Sequence, residues 1–179
     1  LRPHLWLVRQ HEQPVGMSFF LYNPARALGM LLFFALRPEA RRLAPPGFDR
    51  LSDFLVAEML AQVAEDGAGQ ALGLALEVDS PALAERYQHM GLRLFHLRYG
   101  EPSGGQTASM RTELAPQQDD FHPLFLGIFA LPLAHQQPLP QVAHGVVLAF
   151  LSDYYGLPDT HPGLRQAIQT IDQGETWTT

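Results

Sequence analysis

Leu74–Leu92 reads LALEVDSPALAERYQHMGL, and the fold class turns on how this stretch is parsed. Leu74 to Val78 is a buried strand, and alternation puts the carboxylates of Glu77 and Asp79 on one face with Val78 on the other. The strand runs into a short helix, Pro81 to Met90, which closes on Tyr87-Gln88-His89-Met90-Gly91-Leu92.

Around this stretch, Gln70 to Val78 is expected as the whole strand and Arg93 to Tyr99 as the next one. Towards the N-terminus, Leu5–Gln10 and Val15–Tyr22 are apolar or aromatic runs separated by His11-Glu12-Gln13-Pro14, the pattern of a hairpin. Asn23-Pro24 turns the chain into Leu28–Leu36, apolar on both faces and so expected as a central strand. Asp49 is expected to cap a helix reaching about Asp66, with Leu51, Leu55, Met59, Leu60 and Val63 inward and Gly67 as terminator. That helix is the crossover a parallel strand pair requires.

Gly100–Phe121 is rich in Gly, Ser, Gln and Asp without periodicity and reads as a long mobile loop. Leu124–Leu133 is expected as a strand closing beside Arg93–Tyr99. Leu139, Val142, Val146, Val147, Phe150, Leu151 and Tyr154 keep helical spacing through Tyr155, and Pro162 opens a last helix carrying Leu164, Ala167, Ile168 and Ile171. The fold class is therefore α/β (α+β): a mixed central sheet with packed helices and a C-terminal helical extension. One domain is expected over 1–179, with the core in 1–135 and the C-terminal helices in 138–174, packed on their own sheet and leaving surface for a homodimer.

Composition removes several chemistries. All 12 basic residues are arginine, which excludes a Walker loop, a pyridoxal Schiff base and a lysine nucleophile. Cysteine is absent, so disulfides, thiolate nucleophiles and Cys-ligated zinc are excluded, in keeping with a cytoplasmic protein. The net charge of −6 has no basic stripe, and nucleic acid is not an expected partner. The apolar runs Val15–Leu21 and Leu28–Leu36 are too short to span a bilayer as helices, and no membrane is expected. The eight histidines form neither H-x-H nor H-E-x-x-H, so no metal site is expected. Ser18 lacks the second glycine of a nucleophile elbow. The sequence opens at Leu1 rather than methionine, which leaves a longer or processed parent open.

L-E-V around Glu77, Ser80-Pro81, and Tyr87-x-x-x-Gly91-Leu92 together resemble the strand, turn and helix of the Gcn5-related N-acetyltransferases, the GNAT superfamily. The resemblance implies the acyl-CoA N-acyltransferase fold from its second strand onward, over roughly Leu5–Leu133, without the family's opening strand and first helices. It implies acetyl-CoA as cosubstrate between Leu28–Leu36 and Gln70–Val78, and direct attack by an amine whose identity the sequence does not give. Leu36-Arg37-Pro38-Glu39-Ala40-Arg41 is similar to the first half of the family's pyrophosphate loop, V-x-P-x-x-R-x-x-G-x-G. The second half departs: Ala44, Pro45 and Pro46 replace the glycine-rich amides, and proline has no N–H to offer a phosphate.

The residues this resemblance implies for the cofactor are Leu36, Arg37, Arg41, Arg42, Gly47 and Ser80, with Arg50 a further cation. Guanidinium pairs well with phosphate, although the same arginines also suit a solvated surface loop. Tyr87 is the implied acid for the leaving thiolate; a core tyrosine on an amphipathic helix is the plainer reading. Glu77 is the implied base, Asp79 its alternative, and a salt bridge or edge solvation would explain either. The run Phe19, Phe20, Tyr22, Phe33 and Phe34 is expected as core packing. An acyl-CoA-dependent N-acyltransferase is the first functional expectation; a GNAT-like binding or interaction module that has lost cofactor chemistry is the second.

Overall fold

A computed structural model describes residues 1–102 and 121–173. Its main sheet has six strands in the order β1-β2-β3-β4-β8-β5, with β1 Arg2–Gln10, β2 Gln13–Asn23, β3 Leu28–Leu36, β4 Gly73–Val78, β5 Leu92–Phe95 and β8 Phe125–Ala130. Two short strands, β6 Gly100–Pro102 and β7 Phe121–Pro123, pair antiparallel with each other. Among the described residues there are four α-helices: α1 Leu51–Asp66, α2 Pro81–His89, α3 Leu139–Val147 and α4 Pro162–Asp172. The long loop expected over Gly100–Phe121 falls outside the described residues from 103 to 120.

The chain divides into two compact units, Leu1–Leu76 with Phe129–Ala134, and Glu77–Ile128 with the chain from His135 onward. In the first unit, β1 and β2 form the expected hairpin through His11 and Glu12, which sit at φ 46° and 67°. Positive φ at both turn positions is what a two-residue turn needs to follow the strand twist. β2 pairs antiparallel with β3, and β3 pairs parallel with β4 in the register Leu28–Gly73 to Leu31–Leu76.

Two bulges shape these strands. Val8 faces Gly16 and Arg9 faces Pro14, which leaves Val15 as an extra residue on β2. Phe19 faces Phe33 and Phe20 faces Leu31, which leaves Leu32 as an extra residue on β3, immediately after the last of the parallel pairs, Leu31–Leu76. A bulge bends a strand and re-aims the side chains beyond it. The outer half of β3 accordingly changes character: Leu28–Leu31 are buried, whereas Phe33 is 48% exposed. β3 takes the central place expected of it in the sheet, but its burial on both faces ends at the bulge. The aromatic run divides likewise, with Phe20 and Tyr22 in the core and Phe33 at the surface.

Helix α1 buries Leu51, Leu55, Val56, Met59 and Val63, and Leu60 is only partly buried. Its N-cap is Arg50, without a side-chain bond to the helix amides, so Asp49 does not cap it as expected. The return strand begins at Gly73 instead of Gln70 because Ala68 and Gly69 turn at positive φ.

In the second unit, β5 is shorter than Arg93–Tyr99 because Leu97 N bonds back to Phe95 O at 3.2 Å, a tight turn that ends the ladder. α3 does not continue as an α-helix to Tyr155. From Leu148 to Tyr154 the chain is π-helical, and Tyr155 N donates to Phe150 O at 2.8 Å. The unit's core includes Val142, Val146, Val147, Phe150, Leu151 and Leu164.

Candidate functional site

In the first unit, the β2 bulge anchors the loop after β3. Arg37 N donates to Val15 O at 2.9 Å, and a 3-10 turn over Ala40–Arg42 buries Ala40 against Val15, Leu51 and Leu55. Leu36 packs on that cluster, and its carbonyl accepts from Arg41 Nε at 3.2 Å. The chain then passes Pro45 and Pro46 and turns at Gly47, whose φ of +83° a side chain would strain. Phe48 N closes this turn on Pro45 O at 3.0 Å.

A cavity of about 490 Å³ opens here, lined by Pro38, Arg41, Arg42, Asp49 and Arg50. It lies past the carboxyl end of β3 and at the start of α1. Arg50 as N-cap supplies no acceptor to the helix and adds a cation to the positive end of its dipole, so three guanidinium groups and a helix terminus gather at one place. An anion is the complement of that arrangement, with Asp49 as an opposing charge. The amides are partly committed: Leu51 N donates to Leu43 O at 2.6 Å and Asp53 N to Arg50 O at 3.1 Å. Arg37 is not among the lining residues; its guanidinium lies 4.0 Å from Glu39, both well exposed. Gly47 shapes the loop without lining the cavity.

In the second unit, Glu77 receives a hydrogen bond at each carboxylate oxygen. Tyr99 Oη donates to Oε1, and Tyr155 Oη donates to Oε2 at 2.7 Å. Sequence reading named neither tyrosine as a site residue. Asp79 is exposed. Tyr87 lies on the inner side of α2, 7% exposed, and burial raises its phenol above the ordinary range against the opposing charge of Arg86. Ser80 Oγ accepts from Leu83 N at 3.3 Å and so caps α2. Gly91 ends the helical segment at φ +97°.

A cleft of about 960 Å³ in this unit is lined by residues including Phe95, Arg98, Tyr99, Phe125, Arg165 and Gln169, with no Asp or Glu on its described wall. Tyr99 therefore lines this cleft and bonds Glu77. His161 Nδ1 caps α4 by accepting from Gly163 N at 3.2 Å. Among the described residues no group of three His, Asp or Glu is arranged to hold a metal ion, and no helix is long and apolar enough to cross a membrane.

The sheet order has counterparts among solved structures. An inferred GNAT-family acetyltransferase from Bacteroides thetaiotaomicron superposes with a TM-score of 0.51 at 18% identity, covering 88% of this chain and 75% of that one. This chain has the acyl-CoA N-acyltransferase fold of the GNAT superfamily. Two further solved structures are similar at lower scores. The Bacillus subtilis acetyltransferase in complex with CoA gives 0.47 at 13% identity, over 73% of this chain and 78% of that one. An inferred streptothricin acetyltransferase from Bacillus anthracis in complex with acetyl coenzyme A gives 0.44 at 16%, over 72% and 62%. No protein-family model and no curated protein matches the sequence. Within the GNAT fold, β3 and β4 are the parallel pair and α1 is their crossover, as the sequence led us to expect.

Proposed function

We propose that this chain is a divergent GNAT acyltransferase that binds acyl-CoA and transfers the acyl group to an amine. The observation that carries the reading is the arginine-lined cavity past the carboxyl end of β3. Ligands of open sheets with parallel strands bind beyond the carboxyl ends of those strands, and anions favour helix N-termini. Arg41, Arg42 and Arg50 would hold the pyrophosphate, doing with guanidinium what glycine-rich amides do elsewhere. The pantetheine arm would follow the edge of β3 beyond the Leu32 bulge.

Acetyl-CoA, when bound, supplies an activated thioester. The chain's own residues then have two proton tasks. Tyr87 Oη carries its proton at neutral pH as an ordinary phenol does, burial raises its pKa further, and it is assigned the donation to the leaving sulfur. Glu77 is assigned the acceptance of the amine proton, with the acceptor entering by the cleft that Tyr99 lines.

A second reading, a binding module without turnover, is favoured by one specific feature. Pro45 and Pro46 have no N–H, and Leu51 N is committed to Leu43 O, so amide donors to a phosphate are scarce. Calorimetric titration with acetyl-CoA separates the readings. The acyltransferase reading expects binding that is lost in the Arg41→Ala, Arg42→Ala double variant. No heat at millimolar acetyl-CoA would favour the module.

A further inference from the structure

We propose that Tyr155, supplied by the C-terminal helical segment, is a positioning residue: together with Tyr99 it clamps the Glu77 carboxylate in one orientation as a ready proton acceptor. The clamp rests on geometry. Oε1 and Oε2 each receive a phenol, from residues 22 and 78 positions away, so rotation about the carboxylate bond is opposed from two directions. Hydroxyl donors favour the charged over the neutral carboxyl.

Tyr155 reaches Glu77 because the helix before it changes its winding. A residue in an α-helix advances about 100°, and a π turn holds one residue more than an α turn, so side chains after Leu148–Tyr154 are rotated by about that angle. The bond from Tyr155 N to Phe150 O belongs to this wider turn. Phe150 and Leu151, fully buried within the π turn, fix it in place. Tyr155 also packs edge-on against Tyr154, ring centroids 5.0 Å apart. Wide turns of this kind are rare and are frequently found at functional sites. The C-terminal segment is on this account part of the site, contributing the second half of the clamp. The role as base for an acceptor amine rests on the acyltransferase reading; the clamp itself does not.

The test is a carboxyl 13C titration of glutamate-labelled protein, with the Glu77 signal assigned by its loss in Glu77→Gln. In Tyr155→Phe the Glu77 signal is expected to shift and its midpoint to rise, because a donor to the charged form is gone, while thermal melting stays within a few degrees. The Tyr99→Phe, Tyr155→Phe pair should raise it further. In the unmodified protein, which guards against a variant that fails to fold, the Tyr155 ring 13Cζ should report the same midpoint as Glu77. An unchanged Glu77 titration in a folded Tyr155→Phe protein overturns the clamp, as does a Tyr155 ring that is blind to Glu77. With any accepted amine, Tyr155→Phe should lower kcat roughly 10- to 100-fold and leave KM for acetyl-CoA unchanged; a raised KM at constant kcat overturns the positioning role. Failure of the wild-type chain to bind acetyl-CoA would remove the acyltransferase reading while the carboxyl titration still decides the clamp.

Discussion

Asp66 Oδ2 lies 2.6 Å from His4 Nε2, joining the last turn of α1 to the edge strand β1. Arg2 meets the other oxygen at 2.9 Å. A carboxylate at the C-terminal end of a helix opposes the dipole, so these two partners matter to it. Burial alone would raise the Asp66 pKa, but hydrogen bonds from Arg2 and His4 and their charge hold it below the ordinary value. A depressed folded pKa means that the stabilisation is complete above the unfolded value, about 3.9, and is lost as pH falls through the folded one. Asp66→Asn should cost roughly 1–2 kcal/mol at neutral pH, the lower range for charged hydrogen bonds because Arg2 is exposed. Urea unfolding of wild type and variant should converge in strong acid; a difference that persists there would contradict the assignment.

Tyr87→Phe should keep the fold and the affinity for acetyl-CoA. If Tyr87 is the proton donor, the acyl-transfer rate falls by about 10²-fold or more. Gly91→Ala offers a control nearby. Its Cβ would meet nothing within 4 Å, so the cost is backbone strain alone at φ +97°, roughly 1–2 kcal/mol. Melting should register the glycine variant, and rate measurements the tyrosine one.

Ser18 is 1% exposed on β2, and its hydroxyl has no hydrogen-bond partner among the described residues. An unmet buried hydroxyl is a cost of about 1–3 kcal/mol against a bonded one. Ser18→Ala should be neutral or stabilising by up to about 1 kcal/mol. Chemical denaturation would expose the error if the variant were clearly less stable.

Deletion of the chain after Pro138 removes Val142, Ala143, Val146, Val147, Phe150 and Leu151 from the core of the second unit. Burying one large apolar side chain contributes about 1.5–3 kcal/mol. Losing this set exceeds the usual net stability of a domain, about 5–15 kcal/mol, once Leu157, Leu164 and Ile171 go as well. The product should aggregate or melt without cooperativity, as calorimetry would show. A soluble, cooperatively melting product would make the segment an independent appendage.

Local patterns made most of the fold legible. The hairpin announced itself by two apolar runs around His11-Glu12, β3 by Leu28–Leu36, α1 by helical spacing, and α2 and α4 by proline at their starts. Misreadings arose where tertiary context set the outcome. Asp49 is a better N-cap by chemistry than Arg50, yet the loop from the β2 bulge starts the helix one residue later. The turn at Leu97 carries no glycine or proline to mark it. The arginine cluster was partly legible: Arg41, Arg42 and Arg50 line one cavity, while Arg37 turns to Glu39. The partners of Glu77 were not legible, because a π turn has no residue signature and Tyr155 stands 78 positions away.

That Arg41, Arg42 and Arg50 hold the pyrophosphate of an acyl-CoA is the claim on which the acyltransferase reading depends, and a crystal structure of the chain with acetyl-CoA bears on it without intermediary. The pyrophosphate is predicted within hydrogen-bond distance of at least two of these guanidinium groups, with the pantetheine arm running along β3 beyond Leu32. Acetyl-CoA bound elsewhere, or its exclusion from crystals grown at saturating concentration, would contradict it.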